Sequence, residues 1–189
     1  MFVYLIFIKM VSILKKIFSY RYLIIFILIF IDQLSKLLIL FLYNKKSLYK
    51  SNFFEIGKNF NDKYSWINSL FDLNLSLIFH IILTIFLFIN IIYFFKYIYN
   101  KYNLYVCNDL ILINIFLTSG CICSIIDKIF WKGSLDFFII KNLFSFDLKD
   151  VYLTLFQFLI IINIKKISNL NMKKIFLEYI KYLKRLIKI

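Results

Sequence analysis

Apolar residues run in long blocks along this chain, broken by single polar positions and separated by short polar stretches. Blocks of this length match a bilayer, since crossing the hydrocarbon takes roughly 20 apolar residues, or about 17 at the low end. Tyr22 to Leu42 is interrupted only by Asp32, Gln33, Ser35 and Lys36. Leu75 to Phe95 is broken mainly by Ser76, His80, Thr84 and Asn90, and Leu104 to Ile126 by Asn108, Asp109 and Asn114. Val151 to Ile164 is shorter, with Asp150 and Lys165 available as interfacial ends. Four transmembrane helices are therefore expected, at about 22–42, 75–95, 104–126 and 151–166 of a single integral membrane domain covering 1–189. The remaining stretch, 167–189, alternates apolar and basic residues at helical spacing and reads as an amphipathic helix lying against anionic lipid.

Composition agrees with an all-α membrane bundle. The chain is 62% hydrophobic, with a mean hydropathy of +0.83, no proline and three glycines. Met1 to Met10 is apolar, but Lys9, Lys15 and Lys16 accompany it and no small-residue cleavage site follows, so no cleavable signal peptide is expected.

The net charge of +14 carries less information than its size implies. Alanine is absent, arginine occurs only at 21 and 185, and Phe, Ile, Lys, Asn and Tyr abound. These are residues of A- and T-rich codons, so much of the lysine reflects the genome. The basic residues are scattered over loops and tails without a binding motif, which removes nucleic acid from the expected partners. Their distribution still orients the chain. With four spans, Lys9, Lys15, Lys16, Arg21, Lys96, Lys101 and the tail from Lys165 fall on one side, the richer one. Both termini are accordingly expected in the cytoplasm.

Acidic residues number only ten, yet Asp127, Asp136, Asp147 and Asp150 crowd one short stretch between apolar runs. A carboxylate near hydrocarbon costs several kcal/mol unless it is paired, hydrated or protonated. Two of them brought together share a proton, the arrangement of an aspartic-protease dyad. Asp32, inside the first span, is expected to pair with Lys36 one turn away or with backbone donors, and Asp127 with a loop lysine. Other chemistries fit poorly. Cys107, Cys121 and Cys123 lack further ligands at metal-site spacing, and they read as small residues packed in a bundle. His80 is the only histidine and reads as a hydrogen-bonded residue inside the bundle, so Ser/His or Cys/His chemistry has no partner. No metal or cofactor is called for.

Four segments, in order, resemble one family. IDQLSK at 31–36 resembles the DQxSK signature in the first helix of lipoprotein signal peptidase (signal peptidase II). SGCICSIIDK at 119–128 is similar to that family's GGxxGNxxDR segment, and SLDF at 134–137 to its VVDF-like segment, at the same step from the preceding aspartate. FDLKD at 146–150 is similar to FNxAD, which opens the family's last helix. FEIGKNFNDKYSW at 54–66 is a weaker match to a strand leading into NxGAAFS, aligning Asn59 with the family's asparagine. The resemblance implies a small extracytoplasmic loop and β region after the first span. It also implies Asp136 and Asp150 as the catalytic pair, with Asp32, Asn59, Ser124, Asp127, Lys128 and Asp147 binding substrate or supporting the site. The chain departs from the pattern at Ser124 and Asp147, where the family has asparagine. It departs also at Lys128, where the family has arginine, and at Lys149, where the family has a small residue.

The chemistry so implied is peptide hydrolysis by paired carboxylates, one ionised to activate water and the other protonated to serve the leaving nitrogen. The substrate implied is a diacylglyceryl-modified prolipoprotein, cut on the amino side of its lipidated cysteine at the outer face of a bacterial inner membrane. Precursors and membrane lipids are the expected partners of a monomer. The alternative is a non-catalytic membrane subunit or decayed peptidase. The two readings differ in whether Asp136 and Asp150 meet. Asp136 is expected in a turn after Gly133, and Asp127 is its rival as partner to Asp150.

Overall fold

In the computed structural model, which describes residues 2–42, 49–64, 68, 71–101, 104–163 and 172–187, the polar positions inside the apolar blocks turn towards one another. Helix α1 (Phe2–Leu42) continues well before the expected start of the first span. Its apolar side chains Phe26, Phe30, Leu37 and Phe41 are exposed, whereas Asp32 and Lys36 are fully buried. That inversion suits a chain whose outer solvent is lipid: exposed apolar groups cost nothing there, and the charges must find partners inside.

Helices α2 (Leu77–Lys101) and α3 (Leu104–Ile126) follow. Among the described residues, three stretches are long and apolar enough to cross a membrane: Tyr20–Leu42, Leu77–Ile98 and Leu110–Trp131. Helix α3 is central, packing against α1, α2 and a further helix, α4 (Leu148–Ile162). Ile111 and Ile115 of α3 meet Ile25 of α1 in one buried cluster. Gly120 lets α4 approach closely, because a Cβ there would lie 2.7 Å from the Leu153 side chain. Helix α4 has 15 residues, about 22 Å at 1.5 Å each, which is shorter than the hydrocarbon layer. The end of the expected fourth span, 164–166, lies outside the described residues, as do 167–171 of the tail. Helix α5 (Met172–Ile187) packs on α2 through Tyr97, Ile98, Ile175 and Tyr179.

At the far end of α3 the helix widens into one π-turn, Asp127–Trp131, closed by Lys132 in the left-handed conformation (φ 53°). A π-turn adds a residue to the helix and changes the direction of the side chains it carries. Gly133 comes next. A Cβ at this position would sit 2.7 Å from the Phe60 ring and 2.8 Å from the Asn61 carbonyl oxygen, so only glycine lets the chain pass.

A four-stranded antiparallel sheet then covers this end: β1 (Tyr49–Lys50), β2 (Phe54–Asn61), β3 (Ser134–Ile140) and β4 (Phe144–Phe146), in that order. Of the outer loop expected at 44–65, residues 44–48 and 65 lie outside the described residues. The register places Asn59 opposite Asp136, just beyond an irregularity in β2. Asp136 is therefore a strand residue, not the turn residue expected from its nearness to Gly133. The run SLDFFII pairs with β2 along its length, and the turn is confined to Lys132 and Gly133. Leu135 and Phe137 pack with Ile39 of α1, fixing the sheet on the helices.

Candidate active site

The five aspartates Asp32, Asp127, Asp136, Asp147 and Asp150 arrive from five different places and gather around two lysines. Lys36, fully buried, directs its ammonium to Asp32 at 2.9 Å, Asp127 at 2.7 Å and Asp147 at 2.9 Å. An ammonium has three donors, and here each reaches a carboxylate from a different element: α1, the π-turn and the cap of α4. Asp32 also accepts from the Lys149 backbone N–H at 3.1 Å, as expected of a residue paired within its own helix and with a backbone donor. Asp127 differs from expectation. Its partners are Lys36 of α1, 91 residues away, and Lys149 of α4 at 3.2 Å, not a loop lysine. The π-turn explains this, since it aims Asp127 inward at the end of α3.

Asp147 is the N-cap of α4. Its side chain accepts from the Asp150 N–H, and the Asp150 carboxylate accepts from the Asp147 N–H at 3.2 Å, a reciprocal capping box. The box holds Asp150 in place by backbone geometry. Lys149 lies between them, with its ammonium bonded to Asp147 and 2.5 Å from Ser134 Oγ. Burial acts to raise Asp147, but Lys149 and Lys36 outweigh it and hold that carboxyl down to about 2. Lys149 shows the reverse balance. Burial acts against its charge, and the surrounding carboxylates, Asp147 foremost, keep it protonated well above the ordinary lysine range.

Two carboxylates are left without a close cation. Among the described residues Asp136 has no ion pair, and Asp150 has only Lys149 at 4.0 Å. Asp136, Asp147 and Asp150 each place a carboxylate oxygen within 4.8 Å of the others. Asp136 is buried, while the Asp150 side chain is 41% exposed at the rim. Burial pushes Asp136 above the ordinary carboxylate range, against the pull of Lys149 and the hydroxyls of Ser134 and Ser145. Burial, then the negative charge of Asp147, pushes Asp150 up to about 7. Two carboxylates this close, both raised by burial, suit the sharing of a proton. Three acids at this spacing would by charge suit a hard divalent cation; here the ammonium of Lys149 supplies positive charge to the group.

Comparison with known proteins shows the family. A family model described as signal peptidase (SPase) II matches residues 24–166, most of the chain. The chain belongs to the signal peptidase II family. Enzymes of the signal peptidase II family are aspartic proteases of the bacterial inner membrane that cleave lipoprotein signal peptides, and this chain is an aspartic endopeptidase of that type. A bacterial membrane enzyme solved by the in meso method at 1.9 Å resolution is similar over 77% of this chain and 92% of its own, with 25% identity and a TM-score of 0.62. A second, solved by the same method at 2.3 Å, shares the fold at 24% identity and a TM-score of 0.62, over 79% and 90% of the two chains. Among curated proteins none matches the sequence.

The remaining residues singled out by the signal peptidase II resemblance divide into two groups. Asn59 donates to Ser145 Oγ at 2.7 Å, and Ser145 in turn reaches Asp136 Oδ2 at 3.2 Å. Ser124 and Lys128 bond each other at 2.5 Å, one turn apart on the same helical path. His80 is buried as expected of a bundle residue, yet among the described residues its Nε2 has no hydrogen-bond partner; its ring instead lies against Tyr64 at 5.7 Å and Phe79 at 6.1 Å. Cys123 is buried and Cys121 partly so; neither is in a disulfide. The side chain of Cys107 lies outside the described residues. Sequence reasoning missed Ser134 and Ser145, whose hydroxyls bridge the charged groups. Ser134 stands two residues before Asp136 on the same strand face, and this period-two spacing was a signal that could have found it.

Proposed function

We propose that Asp136 and Asp150 are the catalytic pair that removes signal peptides from diacylglyceryl-modified prolipoproteins, cutting on the amino side of the lipidated cysteine. The observation that carries this is the division of charge in the cluster. Lys36 and Lys149 pair with Asp32, Asp127 and Asp147 and leave Asp136 and Asp150 without a close cation, free to share a proton. One of the pair, ionised, takes a proton from a water held between them; the other, protonated, gives one to the leaving nitrogen. Asp127 suits neither role. Both its oxygens lie 2.7 Å from the Lys36 ammonium and it is 1% exposed.

The same reading makes 1–189 one integral domain with four spans, the fourth at 151–166, so that the first turn of α4 with Lys149 and Asp150 stands at its outer end. Both termini lie in the cytoplasm, and the sheet and the acidic pair lie at the outer face. The exposed apolar face of α4, formed by Phe158, Ile161 and Ile162, supports this, as does the basic amphipathic α5 at the opposite end of α2. Asp32, Asn59, Ser124, Lys128 and Asp147 act as supporting residues, and the enzyme works as a monomer on lipid-modified precursors. The test is cleavage of a lipidated precursor by Asp127→Asn, Asp136→Asn and Asp150→Asn variants. Asp136→Asn and Asp150→Asn should each be inserted and inactive. Activity that survives in Asp136→Asn and disappears in Asp127→Asn would refute the pairing. Labelling of a cysteine placed at Asn59 from the cytoplasmic side alone would refute the topology.

A further inference from the structure

Two hydroxyls touch Asp136, and the direction of their protons follows from what else they bond. Ser134 Oγ lies 2.5 Å from the Lys149 ammonium, which can only donate. The hydroxyl must accept there, so its own proton is free for another partner. Its neighbours are Asp136 Oδ1 at 2.8 Å, Asp147 Oδ2 at 3.1 Å and Asp127 Oδ2 at 3.4 Å. Asp147 Oδ2 already receives both Lys36 and Lys149, and Asp127 Oδ2 receives Lys36 at 2.7 Å. The nearest and least served acceptor is Asp136. Ser145 repeats the arrangement on the other oxygen. It accepts from the Asn59 side-chain N–H at 2.7 Å and turns its proton to Asp136 Oδ2 at 3.2 Å.

Asp150 is served differently. Its carboxylate accepts a single backbone N–H, that of Asp147, and has the Asp147 anion beside it. No hydroxyl reaches it among the described residues.

We propose that the two donor relays, Lys149–Ser134 and Asn59–Ser145, hold Asp136 as the ionised general base and leave the shared proton on Asp150, the general acid. This rests on the reading of Asp136 and Asp150 as the catalytic pair and assigns the role of each. Ser134, Ser145, Lys149 and Asn59 are then positioning residues: they act through Asp136 and touch no reacting atom. In the forward step Asp136 takes a proton from water as the water oxygen bonds to the scissile carbonyl carbon. Asp150 gives its proton to the amide nitrogen as the C–N bond breaks, and the pair ends with its proton on Asp136. Return of that proton to Asp150 restores the starting state with no further reactant.

The charged groups around Asp136 come from every element packed on it. Helix α1 supplies Asp32 and Lys36, the π-turn Asp127 and Lys128, the cap of α4 Asp147, and α4 itself Lys149 and Asp150. Strand β2 presents Asn59, which is uncharged. Replacing either serine leaves all these charges in place, so the serines test the relays more cleanly than Lys149 does.

The experiment is the pH dependence of kcat/KM for lipidated-precursor cleavage by the full-length enzyme and by Ser145→Ala, Ser134→Ala and the double variant. Losing a donor to the ionised form raises the pH at which the base is lost. Each single variant should move the acid limb upward by roughly half a unit to one unit, and the double by about the sum, with KM little changed. The alkaline limb should stay where it is. Ser145→Thr, which keeps the hydroxyl, should behave as the parent. An alkaline limb that moves while the acid limb stays would reverse the assignment, and two unmoved limbs would overturn the relays. Infrared difference spectra give a second reading: the protonated-carboxyl stretch at pH 6 should vanish in Asp150→Asn and persist in Asp136→Asn, the opposite result again reversing the roles. An active Asp136→Asn enzyme would instead defeat the catalytic pair itself, so the two failures are distinct.

Discussion

Replacing Lys36 by methionine keeps most of the side chain's bulk and removes one positive charge from the centre of the cluster. The cost can be worked from its contacts. Of the three carboxylates it serves, Asp147 keeps the Lys149 ammonium and Asp127 keeps the same group at 3.2 Å. Asp32 loses its only nearby ammonium and retains the Lys149 N–H at 3.1 Å and the Gln33 amide at 3.0 Å. The loss is therefore one buried carboxylate left with hydrogen bonds but no cation, plus added repulsion among the others. Removing one member of a buried pair typically costs about 3–5 kcal/mol. Because Lys149 still serves two of the three acids, the value should fall near the lower figure, about 3 kcal/mol. Equilibrium unfolding in detergent, followed by tryptophan fluorescence, measures it without reference to catalysis. Lys36→Met combined with Asp32→Asn should lose less than the two single variants together, because the second change removes the stranded charge. A Lys36→Met protein destabilised by less than about 1 kcal/mol, within the range of an ordinary surface change, would show that the three carboxylates are not held by this ammonium.

Three further outcomes follow from the same geometry. With Asp150 raised to about 7 and, on the proposed assignment, acting as acid, cleavage should fall as pH rises through about 7, because the acid is protonated below that value and loses its proton above it; a kcat/KM profile still rising at pH 9 would contradict this. Gly133→Ala should sharply reduce cleavage and folded yield, and Phe60→Ala should not restore them, since the Asn61 backbone oxygen would still lie 2.8 Å from the added carbon; recovery in the double variant would show that only the ring mattered. Asp32→Ala should lower the amount of folded protein more than it lowers turnover per folded molecule, leaving Lys36 without one of its three partners; a normally produced but inactive variant would place Asp32 in the chemistry.

The helices and the paired acids were legible in the sequence for different reasons. Span positions follow from block length, a property of consecutive residues. Asp32 with Lys36 follows from one-turn spacing, equally local. Asp136 and Asp150 stood out through their motif contexts. The rest of the site depends on residues that approach each other only in the fold: Lys36 with Asp127, Asn59 with Ser145, Ser134 with Lys149. No periodicity along the chain encodes such meetings. Asp136 was placed in a turn because Gly133 signals one; the glycine is needed for the close pass by Phe60 and Asn61, and the strand begins immediately after it. A hydrogen-bond partner is expected for His80 because buried polar groups usually have one; here the ring packs edge-on to Phe79 and tilted against Tyr64.

The meeting of three acids at Lys36 also bears on how this chain enters a bilayer. When α1 inserts, Asp32 and Lys36 already lie one turn apart and can cross as a mutually neutralised pair, before any other helix exists. The π-turn then brings Asp127 to the same ammonium, and only the start of α4 brings Asp147, Lys149 and Asp150. The proposed catalytic pair is thus completed by the last-synthesised part of the cluster. On the proposed assignment, a nascent chain still in the insertion machinery would carry half of a catalytic centre and could cut nothing until the start of α4 has docked.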